Sequence, residues 1–492
     1  MKSTLILPLT VVSGLLITAC GQDATDTGEV DATVEAPGEA ATVVPEPAEL
    51  LAPHQALARD LLKELIEIDT TDSRGDNTRA AEAMAARLLE AGFDDADVQV
   101  LAPAPRKGNL VARLRGRESG RKPILLLAHI DVVEADPADW TKEPFTFVEE
   151  DGYFYGRGVL DDKNEAAIHV ANLIRLKQEG YQPDRDIIVA LTADEEGGDH
   201  NGVTWLLENH RDLIDAEFAI NEGGGGGIID GEYAVHSVQA SEKVYQDFSL
   251  IVTNPGGHSS LPQKENAIYR LADALTRIRN YDFPVQLNEI TRAYFERSAE
   301  LDDGLLGEAM RGLLQAPPDP ASVEMLSGMP FVNSRMRTTC VATMVDAGHA
   351  VNALPQRAQA NVNCRILPDV SIDSVLATLD AVVGDHRVLI STVNKATPSP
   401  PSPLTPEMLE PVERITQQMW PGVPVIPTMG TGATDGLYLR NAGIPVYGVS
   451  GIFVDVNDVR AHGQDERMLV KSFFEGQEFL YELTKALTQS DL

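Results

Sequence analysis

The chain has 492 residues, 43% of them hydrophobic and 23% charged, which suits a soluble globular protein of two folded domains with appendages. Its formal net charge of −35 excludes a main role in binding nucleic acid or anionic membrane surfaces, since both would repel it.

The first residues form a targeting segment. Lys2 precedes an apolar run, Leu5 to Ile17, that is short for a bilayer-spanning helix. The run ends in Ile17-Thr18-Ala19-Cys20, which resembles a bacterial lipobox. On that reading residues 1–20 are a lipoprotein signal peptide, and Cys20 is lipidated and becomes the mature N-terminus. The alternative is an ordinary cleaved signal peptide with an incidental cysteine. Gly21 follows the cysteine where an aspartate would signal inner-membrane retention, so an exported protein anchored in the outer membrane and facing the periplasm is expected. Residues 21–53 are rich in Ala, Thr, Pro, Asp and Glu and lack large apolar clusters, as expected of a disordered acidic tether.

From His54 the pattern is helical, with Leu57, Leu61, Leu62, Leu65 and Ile66 on one face. A second helix is predicted over Thr78 to Ala91, stopped by Gly92. Continuous apolar strands follow at Ile124 to Ala128, Ile187 to Leu191, Phe218 to Ile220 and Val446 to Val449, with a helix over Ala166 to Leu176. Such strands between helices predict an α/β fold, a mostly parallel sheet with helices on both faces. From about Ser241 to Asn394 the pattern changes. Asp247 to Val252 and Ala360 to Ile366 alternate polar and apolar residues, and Ala267 to Ile278 is helical between them. This predicts a smaller α+β domain over residues 241–394, inserted into a domain formed by 54–240 and 395–492. Residues 287–337 within it are helical and loop-rich, with no assignable purpose.

Five segments carry the chemistry, four of them just after predicted strands. They are Ala128-His129-Ile130-Asp131, Gly156 to Lys163 around Asp161, Asp194-Glu195-Glu196-Gly197-Gly198, Asn221-Glu222-Gly223-Gly224, and Ala461-His462-Gly463-Gln464-Asp465-Glu466. In open α/β sheets ligands gather at the carboxyl ends of strands. Two histidines and several carboxylates gathered on that rim call for bound divalent cations. Each motif alone has a bland reading, as a surface acidic pair or a glycine loop; five in order do not.

The set resembles the two-zinc exopeptidases and deacylases that include aminoacylase, carboxypeptidase S, carnosinase-type dipeptidases and succinyl-diaminopimelate desuccinylase. The resemblance covers the chain from about residue 54 onward. It implies that His129 and Glu222 bind one Zn2+, Glu196 and His462 the other, and that Asp161 bridges both, with Co2+ or Mn2+ as substitutes. It implies Glu195 as general base acting on a water shared by the metals, and Asp131 as the group orienting His129. His258, in Gly256-Gly257-His258-Ser259-Ser260, would donate to the oxyanion, within its own chain or across a homodimer, which makes the inserted domain a lid or dimerisation domain. Asn352, before Ala353-Leu354-Pro355, would lie near substrate. Arg365 would hold a substrate carboxylate or else form a surface salt bridge. The loop Gly430 to Gly436, centred on Gly432, would receive a carboxylate at a helix N-terminus or serve as a tight turn.

Cys340 and Cys364 fall on two strands that can pair as a hairpin. Two buried thiols are the expected state, with a disulfide as the alternative that export permits. The function expected is hydrolysis of an amide or peptide bond adjacent to a free carboxylate, by a carboxypeptidase or dipeptidase. An N-acyl amino acid hydrolase of aminoacylase type is the alternative, and a non-catalytic binding lipoprotein the remote one. The partners are then a small peptide or N-acyl amino acid, and the membrane through the lipid anchor only.

Overall fold

The computed structural model describes residues 51–117 and 120–489. Cys20, the signal peptide and nearly all of the acidic tether lie outside the described residues. The first helix, Pro53–Ile66, begins where the apolar periodicity begins and buries Leu61, Leu62, Leu65 and Ile66.

A ten-stranded sheet organises the larger part of the chain. At its centre Ile187–Thr192, Ile124–His129, Phe218–Asn221 and Val446–Gly448 lie side by side and parallel. Asn109–Leu114 and Val98–Leu101 extend one side in antiparallel fashion. On the other side the long strand Glu232–Glu242 runs antiparallel to Val446–Gly448 and parallel to Val425–Gly430. The central strands are apolar throughout because both faces are covered. Ile124, Leu126 and Ala128 point into one core, beneath Pro53–Ile66, Lys163–Gln178 and Val470–Thr488. Leu125 and Leu127 point into the other, with Val203, Leu206 and Leu439 of two short helices. This is the α/β architecture with a mostly parallel centre that the strand pattern predicts.

A second, four-stranded antiparallel sheet has the order Thr339–Ala347, Arg357–Ile366, Val244–Thr253, Val388–Thr392. One face packs Phe248, Leu250, Val252, Val362 and Cys364 against the helices Ala267–Arg279 and Ile372–Val383. The other face is polar and carries Tyr245, Asp247, Asn361, Asn363 and Arg365. The edge strand Thr339–Ala347 leaves Val341, Met344 and Val345 exposed.

Two sequence expectations need correction. Cys340 and Cys364 are directly opposite one another in antiparallel register and form a disulfide, not two thiols. Strand register, which composition does not encode, decides this. The segment 287–337 folds into four helices, Glu289–Glu300, Leu305–Leu313, Pro320–Ser327 and Pro330–Met336, around a core of its own. Its first helix packs on Val425–Gly430 of the large sheet: Ile290 joins the main core, and Arg297 donates to Glu413 at 2.6 Å and to the Val425 carbonyl at 2.9 Å. Its place in the chain is inside the insertion, but this contact is with the large sheet.

Candidate metal centre

The chemistry-bearing segments converge at the carboxyl rim of the large sheet. His129 is the last residue of Ile124–His129, Glu195 and Glu196 follow Ile187–Thr192, and Glu222 follows Phe218–Asn221. Asp161 precedes helix Lys163–Gln178, and His462 arrives on the loop before Arg467–Leu469. The glycines after Glu222 are required by close packing. A Cβ on Gly224 would stand 2.0 Å from the Gly448 carbonyl oxygen of the neighbouring strand.

Asp161 is at the centre. One of its carboxylate oxygens is 3.0 Å from His129 Nε2 and the other 3.0 Å from His462 Nε2. His462 Nε2 is also 2.7 Å from Glu196 Oε1. Ligand atoms of His129, Glu195 and Glu222 lie within 4.8 Å of one another, as do those of His129, Asp161 and Glu196. Thus His129, Asp161, Glu195, Glu196, Glu222 and His462 form one cluster.

The electrostatics describe an unbalanced set of anions. Burial pushes the Glu195 carboxyl up to about 9, with Asp435, Glu196 and Asp131 adding to the shift against the opposing pull of His129. Burial likewise holds Glu222 well above the usual carboxylate range. Hydrogen bonds to Asp161 and Glu196 raise His462 to about 10. Imidazole and carboxylate donors a few ångströms apart are what a divalent ion such as zinc takes, with ligand bonds of about 2.0–2.2 Å. The same ions would supply the positive charge that the buried carboxylates lack. The residues therefore fit a metal centre on both donor chemistry and charge.

Supporting contacts fix the donors. His129 Nδ1–H donates to the Asp131 backbone carbonyl at 3.0 Å, which leaves Nε2 free to face Asp161. The Asp131 carboxylate is farther from the ring, 3.7 Å, and instead accepts the backbone N–H groups of Glu195 at 3.1 Å and Glu196 at 2.9 Å. Asp131 thus orients His129 through its carbonyl and the acidic pair through its side chain. Asp194, with φ of 61°, holds the same turn by its 2.6 Å contact with Lys107. Glu466 is fully buried; it pairs with Arg157 at 2.6 Å and accepts the N–H groups of Gly158, Leu160 and Asp161. Asp435 accepts from Asn201 at 2.6 Å and from Thr192 at 3.3 Å. Sequence reading assigned no role to Lys107, Asp194, Glu466 or Asp435. The last three stand inside motifs already singled out, which was the available signal.

The remaining candidates lie elsewhere. His258 and Asn352 are exposed and adjacent on the small ladder of Gly257–His258 with Ala353–Leu354, where Ser259 N–H donates to the Asn352 carbonyl. His258 Nδ1 is 2.7 Å from Ser260 Oγ. No hydrogen bond joins either residue to the metal cluster among the described residues. Arg365 makes no salt bridge among the described residues: it donates to the Thr431 carbonyl at 3.2 Å and covers the Tyr245 ring. Gly432 faces open space in the Gly430–Gly436 loop, which leads into the short helix Gly436–Asn441. There the Gly436 N–H is taken by Thr434 Oγ1.

A two-sided α/β sheet with an imidazole–carboxylate cluster on its carboxyl rim defines a metal-dependent hydrolase. The chain belongs to peptidase family M20/M25/M40, whose model matches residues 125–486. It is 31% identical over 389 residues to a probable carboxypeptidase S-like 2 of Dictyostelium discoideum, covering 77% of this chain and 74% of that protein. It is 33% identical over 363 residues to the N-fatty-acyl-amino acid synthase/hydrolase PM20D1 of Xenopus tropicalis, covering 72% and 70%. Among solved structures, the M20 metallo-carboxypeptidase Sso-CP2 of Sulfolobus solfataricus shares the fold with a TM-score of 0.65 at 17% identity, over 88% of this chain and 99% of that one. Human carnosine dipeptidase 1 does so with a TM-score of 0.60 at 16% identity, over 89% and 97%.

Proposed function

We propose that this chain is a zinc-dependent exopeptidase, a carboxypeptidase or dipeptidase, that cleaves an amide bond adjacent to a free carboxylate. The observation that carries the reading is Asp161, whose two carboxylate oxygens each meet one histidine at 3.0 Å. His129 and Glu222 would hold one ion, Glu196 and His462 the other, with Asp161 between. When bound, the ions supply Lewis acidity and lower the pKa of water. Glu195 stands beside this group, mostly buried, with a carboxyl that holds its proton more tightly than an exposed one. It would take the proton of the attacking water and return it to the leaving amine. Asp131 keeps Glu195 and Glu196 in their separate orientations. Arg365 offers its guanidinium to the substrate carboxylate.

The relatives named for N-fatty-acyl-amino acids favour a second reading on the same machinery, an N-acyl amino acid hydrolase. Metal analysis, together with turnover of a panel of dipeptides and N-acyl amino acids before and after chelation, tests both. Chelation should abolish hydrolysis, and zinc, cobalt or manganese should restore it. Full activity in metal-free protein would sink the proposal, and the panel's best substrate decides between the two readings.

Two further parts of the reading concern assembly and address. His258 and Asn352 are exposed and would act on a second copy's site, and the exposed edge strand Thr339–Ala347 would be a surface for that homodimer. Mixing His258→Ala with Glu195→Ala chains should then restore part of one site's activity. Cys20 would carry a lipid that anchors the exported protein to the outer membrane. Failure of a labelled fatty acid to attach, or attachment that survives Cys20→Ala, would refute this. No helix among the described residues is long and apolar enough to cross a membrane.

A further inference from the structure

The chain has 75 Asp and Glu against 40 Lys and Arg, so a buried basic side chain that lacks an acidic neighbour calls for explanation. Three that do lie together where the two sheets join. Lys243, Arg335 and Arg365 have no carboxylate within 4.0 Å among the described residues, and Lys243 and Arg335 are 1% and 7% exposed. Lys243 Nζ donates to Thr339 Oγ1 at 3.1 Å. Arg335 lies over the Phe331 ring, gives Nη1 to the Phe331 carbonyl at 3.1 Å, and reaches Thr428 Oγ1 only at 3.4 Å from both Nε and Nη2. These partners are neutral. A buried cation whose only partners are neutral groups is costly unless an anion completes it.

Register ties the three groups together. Thr339 and Tyr245 are the residues opposite Arg365 on its two neighbouring strands. Thr428, which Arg335 touches, and Thr431, which Arg365 touches, are three residues apart on the strand end that enters the glycine loop. The Lys243 N–H donates to the Gly430 carbonyl at 3.0 Å, closing the circle. A cavity of about 170 Å³ opens beside Lys243, lined in part by Glu242, Lys243, Tyr245, Ala433 and Leu437. The cluster also adjoins the metal centre. The Gln239 amide fills the space between Gly430 and Gly223, the residue after Glu222, since a Cβ on either glycine would stand 2.5 or 2.7 Å from it.

We propose that Lys243, Arg335 and Arg365 form a pocket for two anionic groups, so that the enzyme prefers amides whose carboxylate-bearing residue is itself acidic, an N-acyl or N-aminoacyl glutamate or aspartate. The proposal rests on the amide-hydrolase reading above and names its substrate class. Arg365, the least buried of the three, faces the α-carboxylate; Arg335 and Lys243 face the side-chain carboxylate. A single carboxylate balances one positive charge and leaves the deeper two uncompensated. Burial already pushes the Lys243 ammonium down to about 7, with Arg335 and Arg365 adding to the shift, and a second anion would reverse that loss.

The test compares glutamate with its neutral isostere. The metal-loaded, full-length protein should show kcat/KM for N-acetyl-glutamate, and for alanyl-glutamate, about tenfold or more above the corresponding glutamine compounds. Arg335→Gln should bring that ratio close to unity by lowering the glutamate value more than the glutamine value, and Lys243→Met should lower it part of the way. Equal kcat/KM for the two in the wild type, or an equal loss for both in Arg335→Gln, would overturn the proposal. Binding separates it from the catalytic reading. Calorimetry should show glutarate binding about tenfold or more tightly than its monoamide, with the difference lost in Arg335→Gln and reduced in Lys243→Met. That result with no turnover of any amide would refute the hydrolase reading and keep the pocket. Equal binding of the two probes would refute the pocket whatever the turnover.

Discussion

Glu195 and Glu196 are neighbours in the chain yet face different partners. Glu196 contacts His462 at 2.7 Å, while Glu195 groups with His129 and Glu222. The two N–H bonds to the Asp131 carboxylate hold this divergence. From it follows a separation of roles. Glu195→Ala should leave metal content nearly unchanged and lower turnover by a factor on the order of a hundred or more. Asp161→Ala should lose metal, because one side chain faces both histidines. Metal stoichiometry by mass spectrometry and kcat measured on the same preparations check both. An empty site in Glu195→Ala beside a full one in Asp161→Ala would reverse the roles. At this scale the cluster was legible because the donors sit in short motifs after apolar strands. Lys107 was not, since its contact with Asp194 spans 87 residues and nothing local marks it. Arg365 was legible as a candidate, but the neutrality of its direct partners, the Thr431 carbonyl and the Tyr245 ring, was not.

Among the elements, the second sheet depends on a cross-link that its small core makes important. Its apolar face is one layer of side chains under two helices, and its edge strand Thr339–Ala347 is largely exposed. The disulfide joins that edge to Arg357–Ile366 across a separation of 24 residues, a loop whose closure contributes about 3 kcal/mol. Replacing both cysteines by serine should therefore speed amide exchange in Thr339–Ala347 and Arg357–Ile366, leaving the parallel centre of the large sheet as it was. Hydrogen exchange read by mass spectrometry checks this, and unchanged exchange in both strands would refute it. Alternation in Asp247 to Val252 made this sheet legible. The pairing of Cys340 with Cys364 was not, because a shift of one residue would turn each side chain to the opposite face and the sequence does not fix the register. The helices of 287–337 were visible as helices only. An apolar face says that a helix packs, not which sheet receives it.

For the molecule as a whole, two buried histidines link stability to pH. His236 lies in Glu232–Glu242 among Trp420, Phe453 and Phe479, with Nδ1 2.8 Å from Thr416 Oγ1 and no partner for Nε2 among the described residues. His169 lies in Lys163–Gln178, and its Nε2 also has no partner among the described residues. Burial pushes His236 down to about 3 and His169 down to about 4. Both folded values are below the ordinary 6.5, so the unfolded chain binds more protons between them. The stabilisation is then complete above about pH 6.5 and is lost as pH falls toward about 4 and 3. Each histidine contributes a slope of up to about 1.4 kcal/mol per pH unit in that window. Raised carboxyls such as Glu195 and Glu222 act in the opposite sense, so the total profile does not isolate the histidines. The difference between wild type and His236→Gln does, because Gln keeps a polar contact for Thr416 and does not titrate. The wild type's advantage over His236→Gln in urea unfolding should be constant above pH 7 and shrink by about 1.4 kcal/mol per unit between pH 6 and 4. An advantage that stays constant down to pH 4 would mean that His236 is protonated or hydrated in the folded state, and that the main core between Trp420 and Phe479 is more open to water than its packing implies.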